Sequence, residues 1–173
     1  MQKLSSWLFS PLLALAACAA PSSLPSPSTS VDIRHADDTR AVFQVSGDTW
    51  RDDVGAALFY VNKVSEAYEE LGVPLDNQHL VLVFHGAAGY HLLNDTAYAA
   101  YEQRDDISQV RNPNADLVTR LSERGVRVEL CSSTMRQRGW TDADLLPEVI
   151  VTPNAFPRVI DLQMDGYAHV LFN

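Results

Sequence analysis

Cysteine is scarce in this sequence, which contains only Cys18 and Cys131 among its 173 residues. Two cysteines form at most one disulfide, so the chain is not a disulfide-stabilised scaffold. Long apolar runs are also lacking, because the run from residue 7 to residue 17 is too short to cross ~30 Å of hydrocarbon comfortably. The glycine-containing segment HGAAGY matches neither GxGxxG nor GxxxxGK[ST], and a nucleotide site is therefore unsupported.

Basic residues are few as well. The chain has 13 Lys and Arg against 22 Asp and Glu, for a net charge of −9. A protein with this balance is repelled by phosphate backbones, so nucleic acid is excluded as an expected partner. With 46% hydrophobic and 20% charged residues, the composition is that of a globular chain. Its length predicts a single folded domain preceded by a short leader.

Residues 1–18 are typical of an export signal, with one early lysine, Lys3, followed by an apolar run and small residues. The segment LAAC at residues 15–18 resembles the bacterial lipobox, which implies acylation of Cys18 and a membrane tether. The alternative is ordinary cleavage near Ala20, which removes Cys18. Residues 19–40 are rich in Pro and Ser and predict a flexible tether. We therefore expect an exported, periplasmic protein anchored to a membrane.

The remaining residues, 41–173, alternate between strand-like and helix-like patterns. A helical stripe runs from Trp50 to Leu71, with Thr49 as its expected cap, and later helices are predicted at 114–124, at 135–138 and at 156–165. Strands are predicted at 41–46, 80–84, 126–131, 149–152 and 168–172. Alternating strands and helices indicate right-handed crossovers. The expected fold is one three-layer α/β domain with a mainly parallel sheet of about five strands and helices on both faces.

In such sheets ligands bind beyond the carboxyl ends of the strands. Cys131 lies where a predicted strand ends and a helix begins, and backbone N–H groups there favour the reactive thiolate. His85 ends another strand, from which an imidazole can pair with a thiolate or move a proton. Two alternatives remain open: Cys131 is an inert core residue, or it forms a zinc site with His85 and His91.

Several small or polar residues complete the expected site. Gly86 and Ala87 follow His85, and Asn154 follows the fourth predicted strand, so these three are expected to shape the pocket. Ser132 follows Cys131, where it contacts a substrate or caps the next helix. Asn62 is a polar residue beside the apolar stripe of the first helix, in either a binding or a solvated position. No cofactor is expected.

Three segments together resemble the DsrE/DsrF-like family of small sulfur-relay proteins. They are GVRVELCSSTMRQRGW at 125–140, the segment DLLPEVIVTPNAFPRVIDLQMDGYAHV at 144–170, and LVLVFHGAAGYHLL at 80–93. The resemblance covers about residues 41–172. It implies a flavodoxin-like fold without flavin, assembly into trimers or hexamers, and a persulfide carried on Cys131, and Asn62 falls where the first helix of family members often carries an asparagine.

This resemblance implies a function for the exported chain. It would be a sulfur carrier that takes sulfur from a persulfide donor onto Cys131 and passes it to an acceptor thiol. The alternative is a tethered module that binds a small ligand or assembles into an oligomer, with Cys131 merely packed in the core.

Overall fold

The structure is a computed structural model, and it describes residues 33–106 and 109–173. The predicted signal sequence, the lipid site at Cys18 and most of the predicted tether lie outside the described residues. Within the described part, no helix combines the length and the apolar character that crossing a bilayer requires.

Seven strands and five α-helices make up the described chain. The strands are β1 (Thr39–Val45), β2 (Trp50–Arg51), β3 (Val54–Gly55), β4 (Gln78–Phe84), β5 (Arg127–Cys131), β6 (Ile150–Thr152) and β7 (Ala168–Phe172). The helices are α1 (Ala56–Glu70), α2 (Asp95–Tyr101), α3 (Ala115–Glu123), α4 (Ser132–Arg138) and α5 (Ala155–Met164). Short 3-10 helices include Gly86–Leu92, directly after β4.

Five strands form one sheet in the order β6-β5-β4-β1-β7. Every pairing in this sheet is parallel, with Val42 opposite Val81 and Val42 also opposite His169. The chain steps outward from β1 through β4 and β5 to β6, and α5 then returns it to the other side of β1. This confirms the predicted three-layer, flavodoxin-like α/β fold with a parallel five-stranded sheet.

The two faces of the sheet carry different helices, as right-handed crossovers require when the chain reverses direction. The larger core packs α1, α3 and α4 on one face, through residues such as Leu58, Leu121 and Met135. The smaller core packs α5 on the other face, through Val159 and Leu162. Because β4 is covered on both faces, it can be apolar without alternation, and Leu80–Phe84 is buried throughout.

The prediction of one helix from Trp50 to Leu71 was wrong in its first turn. Trp50–Gly55 is instead a hairpin of β2 and β3, and α1 begins only at Ala56. Asp52 and Asp53 take positive φ angles of 49° and 64°, as the turn of a two-residue hairpin requires. Thr49 was also wrong as the helix cap. The N-cap is Gly55, whereas the Thr49 carbonyl accepts from Ala56 N at 2.8 Å.

The other helix ends agree with the sequence pattern. Gly125 follows α3 and Gly166 follows α5, with φ angles of 83° and 89° that an L side chain rarely adopts. The 3-10 helix after β4 and helix α2 were not predicted. Short elements of this kind give too few apolar repeats to be recognised by periodicity.

Candidate functional site

Cys131 ends β5 and directly precedes α4, as the sequence predicted. Its Sγ accepts a hydrogen bond from the Ala155 backbone N–H at 3.3 Å. Ala155 is the first residue of α5, so the N-terminal ends of two helices meet at this sulfur. Such ends present N–H groups without partners in their own helix, and these groups stabilise a negative charge.

The surroundings of Cys131 have opposing effects on its acidity. Burial raises the pKa of the thiol, but backbone N–H groups of Thr134, Ala155 and Ser133 together with the Ser133 hydroxyl outweigh burial and leave the pKa below its ordinary value. The thiolate is the form that attacks sulfur. The site is therefore built to favour the nucleophilic form.

Cys131 is nevertheless buried, with 4% of its surface exposed. Its aliphatic neighbours on the sheet face include Val83 and Val159. It also lines a small cavity of about 180 Å³. The other residues around this cavity are His85, Gly86, Ser133, Thr134, Gln137, Asn154, Ala155 and Phe156. That volume equals the share of roughly six water molecules in liquid water, so only a small group can reach the sulfur.

His85 lines the same cavity and is half-buried. Its Nε2 lies 3.0 Å from Gln44 Nε2, and Gln44 Oε1 lies 2.9 Å from His169 Nε2. With this amide orientation, Gln44 donates to His85 Nε2, which leaves the proton on Nδ1. Burial lowers the pKa of His85, so the ring is neutral near pH 7. With Nδ1 protonated and Nε2 accepting from Gln44, the neutral ring can donate a hydrogen bond through Nδ1, but it has no free nitrogen to accept a proton and no charge for an ion pair with the thiolate.

The structure brings together only some of the predicted site residues. Gly86 and Asn154 line the Cys131 cavity, whereas Ala87 is exposed and does not line it. Ser132 points elsewhere: its Oγ donates to the Pro153 carbonyl at 2.7 Å and accepts from Arg136 at 2.9 Å. Asn62 lines a separate groove between α1 and α3.

Sequence reasoning missed Gln137 and Phe156 as cavity residues, whereas Ser133 and Thr134 belong to the loop after the third predicted strand, one of the loops expected to form the pocket. Thr134 Oγ1 accepts from Gly86 N at 2.9 Å and so joins α4 to the segment after β4. That segment packs closely, because a Cβ at Gly89 would lie 3.0 Å from Thr134 Cγ2. The small residues of Gly86–Leu92 therefore allow this segment to pack closely against α4. Their small size was the signal in the sequence that could have indicated this packing.

His91 lies in a different environment, fully buried and stacked on Tyr90. Its Nδ1 is 3.1 Å from Asn114 Nδ2, and its Nε2 is 3.3 Å from Asp48 Oδ1 without hydrogen-bond geometry. In residues 33–106 and 109–173, no three His, Cys, Asp or Glu side chains are grouped so as to hold a metal ion. The structure therefore does not assemble the alternative zinc site of His85, His91 and Cys131.

Comparisons with known proteins extend this description. A search of curated proteins finds no match. A protein of unknown function, MTH1491 from Methanobacterium thermoautotrophicum, matches with a TM-score of 0.54 and 21% identity over 78% of this chain and 100% of its own. The ychN protein from E. coli matches with a TM-score of 0.51 and 17% identity over the same shares of the two chains. These likenesses support the fold. Residues 42–172 match the DsrE/DsrF-like family, to which the chain therefore belongs.

Proposed function

We propose that this protein carries sulfur as a persulfide on Cys131 and transfers it to an acceptor thiol. The observation that supports this proposal is the position of the Cys131 sulfur, which accepts from the Ala155 N–H and lines a small cavity. The lowered pKa of the thiol adds to it. Membership in a family linked to sulfur relay gives the reaction class.

The first step is a displacement at sulfur. The Cys131 thiolate attacks the outer sulfur of a donor R–S–SH, and a new S–S bond forms as the donor's S–S bond breaks. The electron pair of that bond leaves with the donor as R–S⁻, so there is no net oxidation. The N–H groups around Cys131 hold its thiolate before the attack, and the cavity admits the narrow end of a persulfide or polysulfide chain.

The second step returns Cys131 to its starting state. An acceptor thiolate attacks the terminal sulfur of the Cys131 persulfide and takes it as R′–S–SH, leaving the Cys131 thiolate. Cys131 is the free cysteine of the described residues, and Cys18 is the other cysteine of the chain. If Cys18 is acylated or removed, no intramolecular disulfide can form, and turnover needs a second molecule.

His85 supports this cycle as a hydrogen-bond donor. Its ring lines the cavity of Cys131, and with Nε2 accepting from Gln44 the neutral imidazole carries its proton on Nδ1, from which it can donate a hydrogen bond to a sulfur anion. The Gln44 amide fixes its tautomer through the contact at 3.0 Å. Gly86 and Asn154 shape the cavity beside it.

Export, anchoring and assembly belong to the same proposal. The signal-like residues 1–18 and the LAAC segment support transfer out of the cytoplasm and lipid attachment at Cys18. Palmitate-analogue labelling of the full chain should mark the wild type and not a Cys18→Ala variant; equal labelling would contradict the anchor.

The exposed apolar residues of α5 support assembly with further copies of the chain.

The decisive experiment is intact-mass measurement of the full chain after incubation with inorganic polysulfide and without reducing agent. We expect added mass in whole sulfur atoms, removable by a thiol and absent in Cys131→Ser. Met135→Leu is the matched control. The Met135 side chain packs in the core on the face of the sheet opposite to the Cys131 side chain, so this substitution should leave sulfur loading of Cys131 unchanged. Unmodified Cys131 under these conditions would overturn the proposal.

A second function, a binding or structural module with an inert cysteine, is favoured by one observation, the 4% exposure of Cys131. Thiol titration with iodoacetamide across pH separates the two. Fast alkylation with an apparent pKa below the ordinary thiol value supports sulfur transfer. Slow alkylation at every pH supports the module.

A further inference from the structure

Arg136 lies on α4, one turn after the two serines that follow Cys131. Its Nη1 donates to Ser132 Oγ at 2.9 Å, and its Nη2 donates to Ser133 Oγ at 2.8 Å. The spacings of four and three residues bring these side chains together on one side of the helix. A single guanidinium therefore holds both hydroxyl groups.

The direction of these two hydrogen bonds is fixed by chemistry. A guanidinium carries donors and no acceptor, so both serine oxygens accept, and the proton of each hydroxyl must point away from Arg136. The Ser132 hydroxyl donates its proton to the Pro153 carbonyl at 2.7 Å. That proton is therefore committed, and Ser132 has none left for the sulfur.

The Ser133 hydroxyl has a different acceptor. Ser133 lines the Cys131 cavity, whereas Ser132 and Arg136 line a neighbouring groove of about 510 Å³. A hydrogen bond from the Ser133 side chain is one of the contacts that lower the pKa of the Cys131 thiol. Because the guanidinium occupies one side of Ser133 Oγ, the hydroxyl proton is directed to the sulfur.

We propose that Arg136 is a positioning residue for the Cys131 thiolate, because it holds the Ser133 hydroxyl with its proton directed at the sulfur. Arg136 does not line the cavity, so it acts through Ser133. A cationic donor on the hydroxyl oxygen also polarises the O–H bond and strengthens its hydrogen bond to the sulfur. The importance of Arg136 for sulfur transfer rests on the proposed function, whereas its effect on the thiol does not.

The test is the rate of iodoacetamide alkylation of Cys131 in the full chain, measured against pH. Arg136 is exposed, so Arg136→Met should leave the fold intact while it removes every donor of the side chain. We expect the rate-against-pH curve to move to higher pH and alkylation at neutral pH to slow about two- to threefold, as the loss of one exposed contact to a charged group would give. Arg138→Met removes another exposed arginine of α4 and is the matched control, whose curve should match that of the wild type.

Double variants separate action through Ser133 from a direct effect of the positive charge. Arg136→Met should slow alkylation in the wild-type and Ser132→Ala backgrounds and should have no further effect in the Ser133→Ala background. Equal slowing in all three backgrounds would show that the charge acts directly on the thiolate and would overturn the proposal. An Arg136→Met curve that coincides with the wild-type curve would overturn it as well. Alkylation needs no sulfur donor, so failure of Cys131 to take up polysulfide would contradict the proposed function and leave this result unaffected.

Discussion

Ser133 is the side chain that adjusts the acidity of Cys131. Its backbone N–H and its hydroxyl both lower the pKa of the thiol, whereas the neighbouring Ser132 hydroxyl is engaged with the Pro153 carbonyl. Two adjacent serines thus have different roles. One stabilises the thiolate directly, and the other joins the loops after β5 and β6.

Replacing Ser133 by Ala should raise the pKa of Cys131, because the thiolate loses one hydrogen-bond donor while the thiol loses little. Alkylation at neutral pH should slow several-fold, and the rate-against-pH curve should move to higher pH. Ser132→Ala is the control, and its curve should match that of the wild type. A shift in the Ser132→Ala variant as large as that in the Ser133→Ala variant would contradict this assignment.

His91 should make the stability of the protein pH-dependent. Burial lowers the pKa of His91 to about 4, although the nearby Asp48 carboxylate opposes the shift. The unfolded chain takes up this proton near pH 6.5, so the stabilisation is complete above that pH and is lost as pH falls toward 4. The loss amounts to about 3 kcal/mol.

Urea unfolding between pH 7 and pH 4 measures this effect. His91→Asn should flatten the curve, while the exposed His79→Asn should leave it unchanged. The carboxylates with lowered pKa values, such as Asp95 and Asp144, lose their contribution only below about pH 4, which keeps the two effects apart. An unchanged slope in the His91→Asn variant would contradict the assignment.

At the scale of single residues, the sequence predicts part of the cavity lining around Cys131. Cys131, His85, Gly86 and Asn154 end or follow predicted strands, and the structure places all four at one cavity. The choice between Ser132 and Ser133 depends on how the first turn of α4 is rotated. Periodicity does not give that rotation in a seven-residue helix.

At the scale of elements, the sheet was predictable because its strands are short, mainly apolar segments separated by helical stripes. The hairpin of β2 and β3 was not, since Trp50 and Val54 also fit the helical spacing of α1. Its turn uses Asp52 and Asp53 in the left-handed region, without the glycine that completes the usual hairpin pairs Asn-Gly and Asp-Gly. A local turn thus overrode a pattern that was consistent with a longer helix.

Helix α5 is joined to the sheet by a buried carboxylate. Glu129 is 1% exposed, and Arg158 Nε and Nη2 donate to its two oxygens at 3.0 and 3.1 Å. Arg127 Nη2 donates to Oε1 at 2.7 Å from the same strand. Removing Arg158 leaves the buried carboxylate with Arg127 as its remaining cationic partner, so its charge is only partly compensated.

Arg158→Met should therefore destabilise the protein by about 2 kcal/mol, because the Glu129 carboxylate loses two hydrogen bonds but keeps Arg127, as urea unfolding would measure. Adding Glu129→Gln to Arg158→Met should recover much of the loss, because the buried charge is then gone. The exposed Arg138→Met serves as the control and should change stability little. If the single and double variants were equally unstable, the loss would come from packing instead of charge.

At the scale of the whole molecule, α5 is the single α-helix that packs on its face of the sheet in the described chain, and its outer side is apolar. Phe156, Ile160 and Met164 follow one another at intervals of four residues and are 61%, 56% and 82% exposed. An exposed apolar stripe of this kind marks an interaction surface. Under the proposed assembly, a second copy of the chain covers it.

Because Phe156 also lines the Cys131 cavity, assembly on this stripe should restrict access to the sulfur. Ile160→Glu places a charge in the middle of the stripe, where burial against a second copy would be costly. We expect light scattering after size exclusion to show the wild type as an oligomer and the Ile160→Glu variant as a smaller species with faster alkylation of Cys131. Glu123→Lys, on exposed α3 of the opposite layer, should change neither property. A monomeric wild type would show that no second copy covers the stripe, whereas dissociation without faster alkylation would separate assembly from control of the thiol.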